Sequence, residues 1–181
     1  FPLMWVNAGW KVANTIFASD AMGAEGDGID VGGYGVVVSK LSESDCKLVL
    51  GAGEVLGKSL GSARLRRDLL EHPDRHLEPT IPITRIAKHI FEEHRWTAVD
   101  SGRWRYADHI TLGEGRAAIK ALQFAAILTP LHQSIVINLE DNMPVSGAFN
   151  KGRSSAWQLN YLCRRKAAIC LASSISLFLP W

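Results

Sequence analysis

The chain has 181 residues, of which 47% are hydrophobic and 21% charged, and its formal net charge is +2 at pH 7. This composition is typical of a globular protein, and a chain of this length is expected to form one domain with a sizeable core. No apolar run approaches the roughly 20 residues of a membrane span, and the first residues lack the basic start of a signal peptide. We therefore expect an intracellular protein, in the cytoplasm or nucleus, that is neither secreted nor membrane-bound.

Runs of apolar residues and the breakers between them predict an α/β fold with a mixed five-stranded sheet flanked by helices. The five predicted strands cover residues 14–21, 34–39, 103–106, 134–139 and 175–181. The two principal helices cover residues 114–128 and 157–172. A glycine-rich turn joins the first two strands, and so short a connection makes them antiparallel.

Three acidic residues stand where elements begin or end: Asp20 ends the first strand, Glu114 opens the first principal helix, and Asp141 closes the fourth strand. Each has an ordinary explanation alone, since Asp favours turns and helix caps and an acid in a helix's first turn interacts well with the helix dipole. Carboxylates gathered at one sheet edge would repel unless a cation lay between them. Together they predict a Mg²⁺ site suited to phosphodiester chemistry.

The C-terminal part of the chain is strongly basic. Residues 142–181 contain five Lys and Arg and no acid, whereas residues 1–141 carry a net charge of −3. A basic segment beside an acidic cluster indicates a polyanion held against a metal site, although a solvated helix face explains it equally well. The candidate phosphate contacts are Lys151, Arg153, Arg164 and Arg165.

A rival pattern, Ala52 to Ser59, fits a relaxed phosphate-binding loop with Lys58 as the phosphate contact. It follows the apolar run Lys47–Leu50 and precedes a possible helix, which is the context such a loop requires. This hypothesis makes the protein a P-loop nucleotide triphosphatase, but it leaves Asp20 and the first two strands without a role.

The order of strands, helices and acids resembles the ribonuclease H domain attached to the reverse transcriptases of retroelements, most closely the tyrosine-recombinase (DIRS-like) group. The resemblance lies in six short stretches. They are Ala18–Ala21 followed by Gly33–Val37; His109–Glu114; Asp141-Asn142 followed by Asn150–Ser154; and Leu177–Trp181.

The resemblance implies a ribonuclease H-like fold in which Asp20, Glu114 and Asp141 are both the catalytic residues and the ligands of two Mg²⁺ ions, with Mn²⁺ able to substitute. The implied activity is endonucleolytic hydrolysis of the RNA strand of an RNA–DNA hybrid during reverse transcription. The implied partners are the hybrid and an adjoining reverse transcriptase domain in the same polypeptide. Lys151, Arg153, Arg164 and Arg165 would then approach the phosphates of the hybrid.

The chain also departs from that family. Residues 1–13 are interpreted as a linker and 14–181 as the domain, with 57–94 as an insertion and with the family's last helix and fourth acid missing at a truncated C-terminus. Gly113 and Gly115 flank Glu114 and are expected to weaken the helix start. These departures favour an alternative: a degenerate ribonuclease H-like module that binds nucleic acid without cutting it. Glu140 is expected to face solvent, because neighbouring strand residues point in opposite directions.

Overall fold

The computed structural model describes residues 9–23, 31–60 and 88–180. Its strands are β1 (Lys11–Met22), β2 (Gly33–Lys40), β3 (Thr97–Arg103), β4 (Ser134–Leu139) and β5 (Ile175–Phe178). Its α-helices are α1 (Glu43–Leu60), α2 (Ile110–Ile127), α3 (Met143–Lys151) and α4 (Trp157–Ser173). None of the helices in these ranges is long and apolar enough to cross a membrane.

The strands form one mixed sheet in the order β3-β2-β1-β4-β5. β1 pairs antiparallel with β2, which pairs antiparallel with β3. β4 lies parallel to β1 on its other side, and β5 lies parallel to β4. The predicted fold class is thus confirmed: an α/β protein with a mixed five-stranded sheet flanked by four described helices, consistent with the ribonuclease H-like fold.

The two faces of the sheet pack against different helices because inward-pointing residues alternate along each strand. On one face, Phe17 and Val136 join a core built with α2, α3 and α4. On the other, Ile16 and Ile137 pack with Cys46 and Val49 of α1. β1 and β4 are therefore covered on both sides, which fixes the position of their ends.

Helix α2 begins at Ile110, one turn earlier than its predicted start at Glu114. The residue that precedes it, His109, caps it, since its Nδ1 accepts a hydrogen bond from the Thr111 N–H at 3.2 Å. The two glycines lie inside the helix at close contacts with its neighbours. A Cβ on Gly113 would lie 3.3 Å from Cβ of Ala21, and one on Gly115 would lie 2.9 Å from Cδ1 of Leu162. That these glycines weaken the helix start stays a prediction, but the structure gives them another role, because they let α2 approach β1 and α4 closely.

Residues 43–60 form one continuous helix, which contradicts the phosphate-binding loop predicted at Ala52–Ser59. Such a loop needs a strand before it and a non-helical backbone whose N–H groups turn toward the phosphates. Here the residues before it, Lys47–Leu50, are helical, and so are residues 52–59 themselves. The structure therefore contradicts the P-loop hypothesis.

Other boundaries also differ from prediction. The third strand ends at Arg103, where it was expected to begin, and β1 begins at Lys11, inside the expected linker. Most of the expected insertion, residues 61–87, lies outside the described part of the chain, as do the first eight residues and Trp181.

Candidate metal centre

Two of the three predicted carboxylates lie at the same end of the sheet. β1 and β4 run parallel, and their last paired residues are Ala18 and Leu139. Asp20 and Asp141 each lie two residues beyond that pair: Asp20 is still part of β1, where it pairs with Gly35 of β2, and Asp141 follows the end of β4. The cap of the next helix is Asn142, whose side-chain oxygen accepts from the Val145 N–H at 3.2 Å. The alternative that Asp141 caps α3 is therefore wrong.

The third carboxylate, Glu114, reaches this edge from α2. The close contact between Gly113 and Ala21 brings the helix against the end of β1. One carboxylate oxygen from each of Asp20, Glu114 and Asp141 lies within 4.8 Å of the others. The structure thus brings together all three acids that the sequence singled out.

The surroundings of Glu114 show why this cluster suits a cation. Only 4% of Glu114 is exposed, and its Oε2 has no hydrogen-bond partner in the described part of the chain. Burial, followed by the negative charges of Asp20 and Asp141, raises the pKa of Glu114 to about 7. A buried carboxylate oxygen without a partner is costly, and a divalent cation would satisfy the Oε2 of Glu114.

The donor set fits a hard divalent cation. Such ions prefer carboxylate oxygens, and the oxygen ligands of one Mg²⁺ lie roughly 3 to 4 Å apart when each is about 2.1 Å from the ion. The three carboxylate oxygens, all within 4.8 Å of one another, lie close to that spacing. The cluster can therefore hold a metal ion.

A fourth carboxylate lies beside the cluster and was not expected there. Glu140 is only 5% exposed, so the prediction that it faces solvent is wrong. Its Oε2 accepts from the Ser19 Oγ at 3.4 Å, and its Oε1 accepts from the Asn142 N–H at 3.3 Å. Burial and then the charge of Glu114 raise the pKa of Glu140 to about 9. The signal that could have found this group is the polar Ser19 and Asn138, each of which interrupts an apolar run.

The four predicted phosphate contacts lie on the segment of the chain that contains α3 and α4. All four side chains are exposed: Lys151, Arg153, Arg164 and Arg165. The fifth basic residue of this segment, Lys166, is buried, and its Nζ donates to the Phe149 carbonyl at 3.0 Å. Lys166 therefore links α4 to the end of α3. It stabilises the packing of the two helices rather than contributing to their exposed basic surface.

Two aromatic side chains share this surface. Trp157 is 80% exposed and Tyr161 is 55% exposed, and they lie four residues apart on α4, which places them on one side of the helix. Their signal in the sequence was weak, because tryptophan and tyrosine are more often used in packing.

No protein-family model matches the chain, and a search of curated proteins gives no match. What the site can do must be inferred from its own residues.

Proposed function

We propose that this protein is a metal-dependent endonuclease of the ribonuclease H type, which hydrolyses the RNA strand of RNA–DNA hybrids. The observation that carries the proposal is the convergence of Asp20, Glu114 and Asp141, with a buried Glu114 oxygen that has no partner in the described ranges. The mixed sheet supports it, because the parallel pairing of β1 and β4 brings Asp20 and Asp141 to one end of the sheet, where Glu114 of α2 meets them. The resemblance to retroelement ribonuclease H domains supplies the substrate class.

In this proposal the three carboxylates hold two Mg²⁺ ions, for which Mn²⁺ can substitute. Such ions supply an activated water and stabilise the leaving 3′ oxygen of the cut strand. Glu114 is buried on its helix, while Asp20 and Asp141 are exposed. The protein would thus contribute one buried ligand and two that are open to substrate.

The substrate would be gripped by the basic surface of α3 and α4. Lys151, Arg153, Arg164 and Arg165 would contact phosphates, which provide most of the sequence-independent affinity for nucleic acid. Trp157 and Tyr161 add exposed aromatic rings on which unpaired bases at the end of a hybrid can stack. In a retroelement polyprotein, the adjoining reverse transcriptase domain would deliver the hybrid to this surface.

A degenerate module that binds without cutting is the second candidate. The exposed Lys and Arg side chains and the exposed aromatic rings favour it, because binding of nucleic acid by these groups does not require the carboxylates. The glycines beside Glu114 no longer support it, since both are accounted for by helix packing.

The deciding experiment is a cleavage assay on an RNA–DNA hybrid labelled on the RNA strand, with Mg²⁺ or Mn²⁺, using the wild type and Asp141→Asn. The proposal predicts cuts in the RNA strand by the wild type only, and none in duplex DNA or duplex RNA of the same sequence. If the wild type binds the hybrid with either metal and leaves it intact, the binding module is the correct assignment.

A further inference from the structure

A buried chain of hydrogen bonds lies beneath the candidate metal centre. Asn138 donates from Nδ2 to the Ser19 Oγ at 2.8 Å, and Ser19 donates in turn to Oε2 of Glu140 at 3.4 Å. The other oxygen of Glu140 accepts from the Asn142 N–H at 3.3 Å. Asn138, Ser19 and Glu140 are all buried, so these bonds are shielded from competition with water.

This series of hydrogen bonds connects the backbone on both sides of the metal centre. Ser19 immediately precedes Asp20 on β1, and Asn142 immediately follows Asp141 after β4. The backbone ladder between these strands ends at Ala18 and Leu139. Beyond that pair, Glu140 joins the two strand ends by side-chain bonds in place of the ladder.

A connection is needed at this point because the carboxylates repel one another when no cation lies between them. That repulsion pushes the ends of β1 and β4 apart. Glu140 is not among the three acids whose carboxylate oxygens converge, and its two oxygens accept hydrogen bonds from Ser19 and Asn142 instead.

We propose that Glu140 is a positioning residue of the metal centre: it holds the backbones of Asp20 and Asp141 at the spacing that one cation requires. The proposal rests on the metal site of the proposed function and adds to it a bridge between β1 and β4. Groups that orient metal ligands in this way commonly change metal affinity by about 10- to 100-fold when they are removed.

The chain offers matched variants for the test. Glu140→Ala removes the bridge, and Ser19→Ala removes one end of it. Glu140→Gln keeps an oxygen that can accept from Asn142 and an amide that can donate to Ser19. The control is Ser39→Ala, because Ser39 is also a buried strand serine but its Oγ has no hydrogen-bond partner among the described residues. Ser39 pairs with Ile16, away from the strand end that carries Asp20.

The measurement is Mn²⁺ titration by calorimetry, together with the free energy of unfolding of each variant in chelator. We expect Glu140→Ala and Ser19→Ala each to weaken Mn²⁺ binding about tenfold, with Glu140→Gln within about threefold of wild type. Ser39→Ala should bind as wild type does. Because Ser19 and Glu140 act through one bridge, the double Ala variant should bind no more weakly than Glu140→Ala alone.

Wild-type affinity in folded Glu140→Ala would overturn the proposal, even if that variant were less stable, because it would assign Glu140 to stability alone. Equal losses in Glu140→Gln and Glu140→Ala would also overturn it, since Gln can form the same bridge and would then fail to preserve metal binding. If Glu140→Ala does not fold, the comparison of Ser19→Ala with Ser39→Ala decides in the same way. Absence of Mn²⁺ binding by the wild type would refute the metal site itself and the bridge with it.

Discussion

At the scale of single residues, the site depends on carboxylates placed where they are costly without a cation. Glu114 and Glu140 are both buried, and both have raised pKa values, about 7 and about 9. An acid whose pKa is higher in the folded than in the unfolded protein binds more protons when folded. Folding stability is then greatest below the unfolded pKa of about 4.5 and declines as the pH rises toward the folded pKa.

The metal-free protein should therefore lose stability between about pH 5 and pH 9. Glu140→Gln removes one of the two groups responsible, so we expect it to be more stable than wild type at pH 8 by about 2 kcal/mol and to show a shallower decline with pH. Urea unfolding in chelator at pH 5.5 and pH 8 measures both effects. A wild type that gains stability over this range would contradict the assigned environment of these acids.

At the scale of elements, the approach of α2 to its neighbours carries Glu114 to the sheet edge. Gly115 has no room for a side chain, since a Cβ would lie 2.9 Å from Cδ1 of Leu162 and 3.5 Å from Cδ1 of Leu159. Gly147, in α3, has no atom within 4 Å of where its Cβ would lie. The two helical glycines thus differ in packing rather than in helix propensity.

Gly147→Ala should stabilise the protein by roughly 0.5 to 1 kcal/mol, the usual gain when alanine replaces glycine in a helix. Gly115→Ala should instead destabilise it by about 1 kcal/mol or more, because the crowding of Leu162 outweighs that gain. Thermal and urea unfolding of the pair give the comparison. Similar stabilisation of both variants would show that α2 and α4 are not held in close contact.

The surface of α4 gives a prediction about nucleic acid. Replacing both Arg164 and Arg165 with Ala should weaken binding to an RNA–DNA hybrid and reduce the slope of log affinity against log salt by about 2, one unit for each lost phosphate contact. The control is the double Ala variant of Lys40 and Lys47, two exposed lysines at the end of β2 and on α1. A salt slope unchanged by the arginine pair, or reduced equally by the lysine pair, would remove α4 from the interface.

Trp157→Ala tests the stacking surface separately. We expect it to weaken binding of a hybrid with a single-stranded extension by about 1 to 3 kcal/mol, the usual contribution of one base–aromatic stack, and to leave a blunt hybrid nearly unaffected. Fluorescence anisotropy with the two labelled substrates measures this difference. Equal losses on both would show that Trp157 does not act on unpaired bases.

At the scale of the whole molecule, the sequence predicted strand bounds best where most residues of a strand are buried. β4 was predicted with its observed bounds, because a mostly apolar run between breakers is typical of a strand covered on both faces. β3 was placed wrongly because it is an edge strand with mostly exposed residues, such as Thr97 and Ser101, and carries no apolar pattern. The apolar pattern of a segment does not predict a strand when its pairing is determined by the neighbouring strand rather than by its own sequence.

The same reasoning explains which parts of the site could be predicted. Asp20 and Asp141 were each predicted at the end of a strand, and strand ends commonly carry functional groups at one end of a sheet, so their convergence could be expected from the sequence. The burial of Glu140 was not, because it depends on Ser19 of β1 lying beside it after the two strands pair. The role of Gly113 was hidden for a similar reason, since only the packed structure shows Ala21 against it.

The central claim is that Asp20, Glu114 and Asp141 hold a divalent cation, and Mn²⁺ titration of the wild type and Asp20→Asn tests it most directly. Glu43→Gln is the control, because Glu43 is an exposed acid on α1 that pairs with Lys47. We expect Mn²⁺ to bind the wild type and Glu43→Gln alike and to bind Asp20→Asn about tenfold more weakly or worse. Equal binding by the wild type and Asp20→Asn would contradict the metal centre.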